Sequence, residues 1–348
     1  MLIRIGFIGL GEQGRENLLP ALTQVQGAKI VCLCDSDRDR AASVAARLGD
    51  LPVYSDASTM MAEAELDAIV MACPPQAHYT IALEAFQRGL HVFVEKPPCL
   101  TTAQLIELIE AARTHRVITG IGLNFRFATP VKRLNALIKD KYFGRPVHAY
   151  IDHAANKPTE PMWGLDSLVR SFLLAQAIHS IDLQIMIGGQ LKDVYCTVQK
   201  ADTSILIDLG LGFESGVRTR LITGNMFPYF DFNMRIVGDN SHVVHLDSLR
   251  HLTVKQTEKC DEFIGDPKRW VDTWHPGPLD SGYSRSGYLG ELEAFMDALR
   301  SGKKFEADFQ NMLQTFQVID AIEQTVPLVI DTPAADDSFT EKREMINA

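Results

Sequence analysis

Ile3-Arg4-Ile5-Gly6-Phe7-Ile8-Gly9-Leu10-Gly11-Glu12-Gln13-Gly14 decides the fold. Ile3 to Ile8 is apolar apart from Arg4, as expected of a parallel strand covered on both faces. Gly9, Gly11 and Gly14 then supply G-x-G-x-x-G before a helical pattern that runs from Glu12 to Gln24. In such a turn the first glycine permits the tight bend and the second lets backbone approach a pyrophosphate. The third allows close helix–strand packing, and the helix N-terminus adds amides and partial positive charge. Asp35 ends the next strand about twenty residues on, where its carboxylate can accept from both ribose hydroxyls. Gly9, Leu10, Gly11, Glu12, Gln13, Gly14, Asp35 and Ser36 are therefore the expected dinucleotide contacts. Asp35 would repel a 2′-phosphate, which favours NAD. Arg38 and Arg40 lie close enough to leave NADP possible, although at a helix start they read first as solvated side chains.

Similar strands follow at Lys29 to Cys34, Ala68 to Ala72, His91 to Val94 and Val117 to Gly122. Helical patterns separate them at Asp37 to Leu48, Gln76 to Arg88 and Thr101 to Thr114, with Thr101-Thr102 placed to cap the last. This alternation predicts a doubly wound parallel α/β sheet, a Rossmann domain over residues 1–122. The pattern then changes to α+β over residues 123–348. Helices are expected at Pro130 to Lys139 and Phe172 to Ile187. Strands follow at Val194 to Gln199, Ser204 to Phe213, Val217 to Thr223, Phe230 to Val237 and His242 to Leu246. Short turns such as Gly238-Asp239-Asn240 join neighbours, so this second sheet should be mostly antiparallel. Residues 256–287 read as irregular, and helices return at Leu289 to Leu299 and Asp308 to Glu323.

A length of 348 residues suits two packed domains. The net charge of -10 disfavours nucleic acid or an anionic membrane as partner, since both need clustered positive charge. The six cysteines are scattered without paired spacing, so no metal is expected, and Cys32 and Cys34 read as packed apolar residues. The N-terminus lacks the basic start of a signal peptide. No apolar run approaches the roughly 20 residues of a membrane span. The expected compartment is cytoplasmic.

The chemistry is concentrated in Val92-Phe93-Val94-Glu95-Lys96-Pro97-Pro98. Glu95 and Lys96 stand at the C-terminal end of a buried strand, the edge where open α/β sheets place ligands. A lysine in a pocket beside a cofactor can have its pKa lowered by burial or by the charge of oxidised nicotinamide. It could then exchange a proton with a substrate hydroxyl while hydride moves to or from the ring.

Cys73-Pro74-Pro75-Gln76-Ala77-His78, His91-Val92-Phe93-Val94-Glu95-Lys96-Pro97, Gly122-Leu123-Asn124-Phe125-Arg126-Phe127 and His179-Ser180-Ile181-Asp182-Leu183 closely resemble the Gfo/Idh/MocA oxidoreductase family. The resemblance covers essentially the whole chain, and Glu-Lys-Pro is its most specific part. It implies a Rossmann domain followed by a large open sheet often used for dimerisation, hence a homodimer or homotetramer through the C-terminal sheet. By matching motif, Lys96 and His179 correspond to the catalytic residues. Cys73, Pro74, Pro75 and His78 would lie along the cofactor, Glu95 at its nicotinamide end, and Asn124 and Arg126 near the site. Asp182 could orient the imidazole of His179.

The chain departs from the family where an aspartate commonly stands four residues before the histidine; here it has Ala175. The adjacent Gln176 can hydrogen-bond a substrate but cannot act as a base. The leading expectation is an NAD-dependent dehydrogenase or reductase for a small polar hydroxyl or carbonyl compound, such as a sugar, cyclitol or sugar acid. A redox-neutral NAD-dependent glycoside hydrolase and a non-catalytic nucleotide-sensing regulator are the alternatives. Arg170 stands where relatives carry small glycines. If it, Arg126 or the Asn156-Lys157 segment faced the cleft, an anionic substrate would be expected, because arginine binds carboxylate and phosphate bidentately.

Overall fold

The computed structural model describes residues 2–257, 269–277, 280–326 and 328–329. Ile3–Ile8 is β1. With it, β2 (Ala28–Cys34), β3 (Val53–Tyr54), β4 (Ala68–Met71), β5 (His91–Glu95) and β6 (Thr119–Gly122) form one parallel sheet of order β3-β2-β1-β4-β5-β6. β1 is buried at every position but Arg4, and β4 throughout, as their unbroken apolar character requires. β1 pairs with β2 on one side and β4 on the other. The chain reverses its direction of winding there, which opens a crevice at the C-terminal edge.

The glycine turn is closed by contact as well as conformation. Gly9 has φ +91°, and a Cβ on it would lie 2.4 Å from the Ala72 carbonyl oxygen. A Cβ on Gly14 would lie 2.1 Å from the Gly9 carbonyl oxygen. Helix starts in this half are written in their caps. Asp37 accepts from the Arg40 amide, Asp56 from the Thr59 amide, and Thr101 forms a capping box with Gln104. The two-residue β3 and the helix Ala57–Glu63 were not anticipated, being too short to show a period.

The second sheet holds nine strands among the described residues. They are β7 (Pro146–Ala154), β8 (Leu191–Ala201), β9 (Ser204–Phe213), β10 (Arg218–Gly224), β11 (Asp231–Gly238), β12 (Val243–Asp247), β13 (His251–Thr257), β14 (Arg269–Trp274) and β15 (Leu328–Val329). Their order is β14-β13-β12-β11-β7-β10-β9-β8-β15. Neighbours run antiparallel except β7 with β10 and β8 with β15. β7, β13 and β14 correct the sequence expectation. β7 was overlooked although its inward positions Ala149, Ile151 and His153 alternate with half-exposed ones. β14 falls within the stretch read as irregular, of which residues 258–268 and 278–279 lie outside the described residues.

One helix, Leu168–Gly188, is 21 residues long and apolar enough by length and composition to cross a bilayer, contrary to expectation. Its most apolar stretch is 83% buried inside the protein, which makes it a core helix. Polar contacts fix it to the second sheet: Ser180 Oγ lies 2.5 Å from His153 Nδ1, and Gln184 Oε1 accepts from Thr219 Oγ1 at 2.6 Å. After the second sheet the chain returns to the first. The helix Tyr288–Ser301 packs Phe295 on Phe93 of β5, with ring centroids 5.4 Å apart, and the Ile121 amide of β6 donates to the Ala307 carbonyl. Aromatic pairs of this kind add about 0.5–1.5 kcal/mol beyond their buried area.

Candidate active site

Two openings meet at the C-terminal edge of the parallel sheet and share Ala72 and Cys73 in their walls. The first, of about 600 Å³, is a groove lined by Gly9, Gly11, Asp35, Ser36, Cys73 and Pro74. Gly11 faces open space, since a Cβ built on it meets nothing within 4 Å. That leaves room for a pyrophosphate against the backbone, and the groove fits a dinucleotide.

Several expected contacts lie behind this groove rather than in it. Leu10, Gly14, Pro75 and His78 are buried and line neither opening. The Leu10 amide donates to Asp35 Oδ2 at 2.6 Å. His78 accepts from the Cys73 amide at Nε2 (3.1 Å) and donates from Nδ1 to the Pro97 carbonyl (3.0 Å). One ring thus ties the loop after β4 to the loop after β5 and must stay neutral to do so. Burial pushes its pKa down to about 4. Glu12 is exposed at the helix start and also lines neither opening.

Asp35 is half-enclosed by donors. Besides Leu10, it accepts from the Asp37 amide at 2.8 Å and from Arg40 Nη2 at 2.7 Å. Burial alone would raise its pKa, but Arg40 and the two amides outweigh it and hold the carboxyl below its usual range. Arg40 is therefore engaged in the groove wall and is not the solvated residue its position suggested.

The second opening, about 1000 Å³, has Glu95 and Lys96 in its wall. Glu95 Oε1 accepts from Gln13 Nε2 at 2.8 Å, and Oε2 from the Lys96 amide at 3.0 Å. Burial raises the Glu95 pKa, with Lys96 and Gln13 acting against it. Lys96 Nζ donates to the Ala175 carbonyl at 2.7 Å. Burial draws Lys96 below the usual lysine range; Glu95 opposes that shift and Lys157 adds to it. Asn124 and Gln176 also face the cleft, and Asn124 is fixed by donating to the Ser286 carbonyl at 2.8 Å.

The helix Leu168–Gly188 enters a π-turn at Leu173–Ala177, where the Ile178 amide reaches back to the Leu173 carbonyl. Such turns add a residue to a helix and often stand at functional sites. Here the turn brings Ala175 into the cleft wall, and its backbone carbonyl receives Lys96. A backbone carbonyl can orient the lysine but, unlike a carboxylate, cannot take a proton. His179 follows one turn later, with its ring stacked on Phe125 at 4.4 Å between centroids. Its Nδ1 is buried without a partner. Burial, with Lys96 and His153 nearby, holds its pKa far below the ordinary value.

Three expected substrate contacts are corrected. Arg126 donates from Nε and Nη2 to both oxygens of Asp182, each at 2.5 Å, and from Nη1 to the Glu306 carbonyl. Asp182 is thus committed to Arg126 and does not orient His179; neither lines the cleft. Arg170 is buried against Leu100, Asp320 and Glu323: Nε and Nη2 donate to the Leu100 carbonyl, and Nη1 reaches the two carboxylates at 2.9 and 2.7 Å. A guanidinium removed from water needs such partners, and both arginines found theirs within the protein, away from the cleft. Of the basic side chains named as anion ligands, only Lys157 faces the cleft. Lys96 and Lys157 are matched there by Glu95 and Glu160, so the lining carries no net formal charge.

Phe125, Trp163, Phe230 and Tyr288 complete the cleft wall and were not foreseen. They come from four separate segments, and no spacing rule connects them. His153 was missed with β7. Its alternation would have placed it facing inward, where burial and Lys96 push its pKa down to about 3.

The model of the oxidoreductase family with an NAD-binding Rossmann fold, Gfo/Idh/MocA, matches residues 3–123, and that of the Gfo/Idh/MocA C-terminal domain matches residues 131–244. Inositol 2-dehydrogenase 3 of Saccharopolyspora erythraea is 31% identical over 332 residues, covering 87% of this chain and 95% of its own. An inositol 2-dehydrogenase of Acidothermus cellulolyticus is 26% identical over 322 residues, covering 86% and 93%. The crystal structure of a dehydrogenase from Chromobacterium violaceum superposes with a TM-score of 0.89 at 44% identity, covering 99% of this chain and 98% of that one.

Proposed function

The chain belongs to the Gfo/Idh/MocA oxidoreductase family, and we propose that it oxidises a secondary hydroxyl of a neutral, ring-shaped polyol with NAD, with Lys96 as the acid/base. The observation that carries this reading is the placement of Lys96 Nζ in the wall of the cleft, hydrogen-bonded to the Ala175 carbonyl beside Glu95, in the opening that shares Ala72 and Cys73 with the glycine-lined groove. NAD, when bound, accepts or supplies the hydride. Gly9, Gly11, Asp35, Ser36, Cys73 and Pro74 would hold its adenosine and pyrophosphate, with Gln13, Glu95 and Asn124 at the other end.

Burial favours the neutral amine of Lys96. In that form Nζ keeps one N–H on the Ala175 carbonyl and offers its lone pair to a substrate hydroxyl. It takes the hydroxyl proton as the carbonyl forms, and returns it in the reverse direction. His179, neutral because of its burial, would hydrogen-bond the same or the neighbouring hydroxyl. The lining charges cancel when Lys96 is protonated and leave no excess of cations when it is neutral, so with the aromatic wall they suit an uncharged ring better than an acid. The inositol 2-dehydrogenases among the relatives point to the same substrate class.

The division at 122/123 into a cofactor and a substrate domain belongs to this proposal. So does assembly into a homodimer or homotetramer through the exposed face of the nine-stranded sheet, where Tyr195 is 63% exposed. The test is to follow nicotinamide absorbance with inositol isomers, other neutral polyols and their acid counterparts, in both directions. Turnover with a neutral cyclic polyol and free NAD is expected. Preference for the acids would overturn the substrate class. Cofactor that never exchanges with free NAD would point to redox-neutral chemistry.

A further inference from the structure

The cleft is larger than a single ring requires. A nicotinamide with its ribose and one six-membered polyol ring need on the order of 600 Å³ at interior packing density, whereas the opening holds about 1000 Å³. A row of rings leads outward from the reacting groups. His179 stacks on Phe125 at 4.4 Å between centroids, and Phe125 meets Phe230 edge-on at 6.3 Å. Exposure rises along the row, from 6% at His179 to 50% at Phe230, with Tyr229 beyond it at 65%. With nicotinamide and the reacting ring beside Lys96 and His179, the room left over lies at this outer end. Phe230 has the parity of the buried Phe232, which also packs edge-on against Phe125 at 5.3 Å. It therefore belongs to the helix-covered side of the nine-stranded sheet, not to the outward face through which assembly is proposed.

The rest of the mouth is polar and held in place. Asn156, Thr159 and Glu160 are exposed and line the cleft. The buried Asn225 donates to the Pro158 carbonyl at 2.7 Å and the Thr203 carbonyl at 2.8 Å, and accepts from the Ile205 amide at 2.7 Å. It thereby ties the segment carrying these polar groups to the strands β9 and β10. A pyranose presents an apolar C–H face that packs on an aromatic ring, and hydroxyls at its edge that need polar partners. An aliphatic or aryl group would leave the polar rim unused.

Resting on the reading of the cleft as a neutral-polyol site, we infer that the substrate is a glycoside, with a second sugar ring stacked on Phe230 and its hydroxyls toward Asn156, Thr159 and Glu160. The inner ring alone reacts: its hydride goes to NAD, its hydroxyl proton to Lys96, and the glycosidic bond stays intact. Phe230 then determines specificity by adding binding remote from the reacting atoms.

The test compares kcat/KM with free NAD for glucose and inositol against maltose, cellobiose and an α-galactoside of inositol, with phenyl glucoside as the apolar control. The best glycoside should exceed its free ring by about tenfold or more, mainly through a lower KM. Phe230→Ala should lower that ratio by about tenfold, the scale of one stacked ring, and Phe230→Trp should restore it. Free rings used at least as well as every glycoside overturn the inference, as does phenyl glucoside outperforming every sugar-substituted ring. A ratio unchanged in Phe230→Ala overturns it too. If the mass in solution changes there instead, the exposed ring is a subunit contact. Should Phe230→Ala not fold, Phe230→Leu, which keeps apolar volume without a flat face, must show the same fall. Absence of turnover with every neutral compound, free or glycosylated, overturns the neutral-polyol reading itself.

Discussion

The cofactor groove and the substrate cleft share Ala72 and Cys73 but are made of different materials. The groove is built largely on the backbone of the glycine turn, where Gly11 faces open space, and on the end of β2, with Asp35 25 residues beyond Leu10. The cleft is built from side chains drawn from across the sequence, and the Gln13–Tyr288 hydrogen bond in its wall spans 275 residues. A backbone site is written locally and needs only room. A side-chain site needs charges removed from water, and each must find a partner or change its protonation state. The groove should therefore respond to changes of volume, and the cleft to changes of charge and pH.

The largest effect should come from Lys96. Lys96→Ala should lower turnover by about 10²–10⁴-fold, the scale for losing a general acid or base, while NAD affinity stays near the parent value. In the parent, oxidation needs the neutral amine, so its rate should rise with pH. Because burial lowers the Lys96 pKa, that limb should centre below the ordinary lysine value of about 10.4. The limb should be missing in Lys96→Ala. A variant within a few-fold of the parent, with the same pH profile, removes Lys96 from the mechanism.

Arg170 comes next, and it separates a charge that serves the cleft from one that serves the core. Arg170→Ala leaves Asp320, Glu323 and the Leu100 carbonyl without their shared donor. The expected loss of stability is about 2–4 kcal/mol, below the full value for a buried pair because both carboxylates stay partly exposed. Chemical denaturation measures it. The preference for neutral over acidic substrates should not move, whereas a shift in that preference would return Arg170 to the cleft.

A smaller effect is carried by the buried histidines. His78 and His153 are held near pKa 4 and 3, against about 6.5 when unfolded. The folded state thus binds fewer protons than the unfolded one between those values. Their contribution is intact above pH 6.5 and is lost as pH falls toward 4, by up to about 1.4 kcal/mol per pH unit for each ring. Glu95, with its raised pKa, works in the opposite sense, so a difference measurement is needed. Stability against pH for the parent and His78→Gln should show a shallower acid slope in the variant. Parallel curves would mean that His78 already titrates normally in the folded protein.

The same contrast governs how much the sequence could say. The parallel sheet, its glycine turn and the Glu95-Lys96 strand end were legible because their signals are contiguous: an apolar run, a glycine spacing, a charged pair after a buried strand. Asp35 lines the groove, where its strand-end position put it, but its pairing with Arg40 was not legible, since an ion pair five residues apart looks the same as two solvated charges. Arg126 and Arg170 were misplaced for a stronger reason. Their partners lie 56 and 150 residues away, and a buried cation cannot be told from a ligand-binding one without them. Ala175 was noted in the sequence only for the carboxylate it does not carry. That its carbonyl would hold the lysine depends on a π-turn, which leaves no mark in residue types. β7 was legible and overlooked, its alternation masked by His148, Tyr150 and Asp152 on the outward face.

The smallest effect tests the groove itself, through two glycines three residues apart. At Gly11 a new methyl meets nothing within 4 Å, so Gly11→Ala should fold as the parent does, within about 0.5 kcal/mol. The space it fills is the space a pyrophosphate would use against the backbone, so NAD affinity should fall by about tenfold. Gly14→Ala should behave in the opposite way. Its methyl would sit 2.1 Å from the Gly9 carbonyl oxygen, so the turn must open and the melting temperature must drop. Any loss of NAD affinity there would follow from that opening. Thermal unfolding with and without NAD on both variants separates the two roles. If Gly11→Ala keeps full ligand-induced stabilisation, the pyrophosphate does not approach at Gly11, and the groove holds its cofactor by side chains after all.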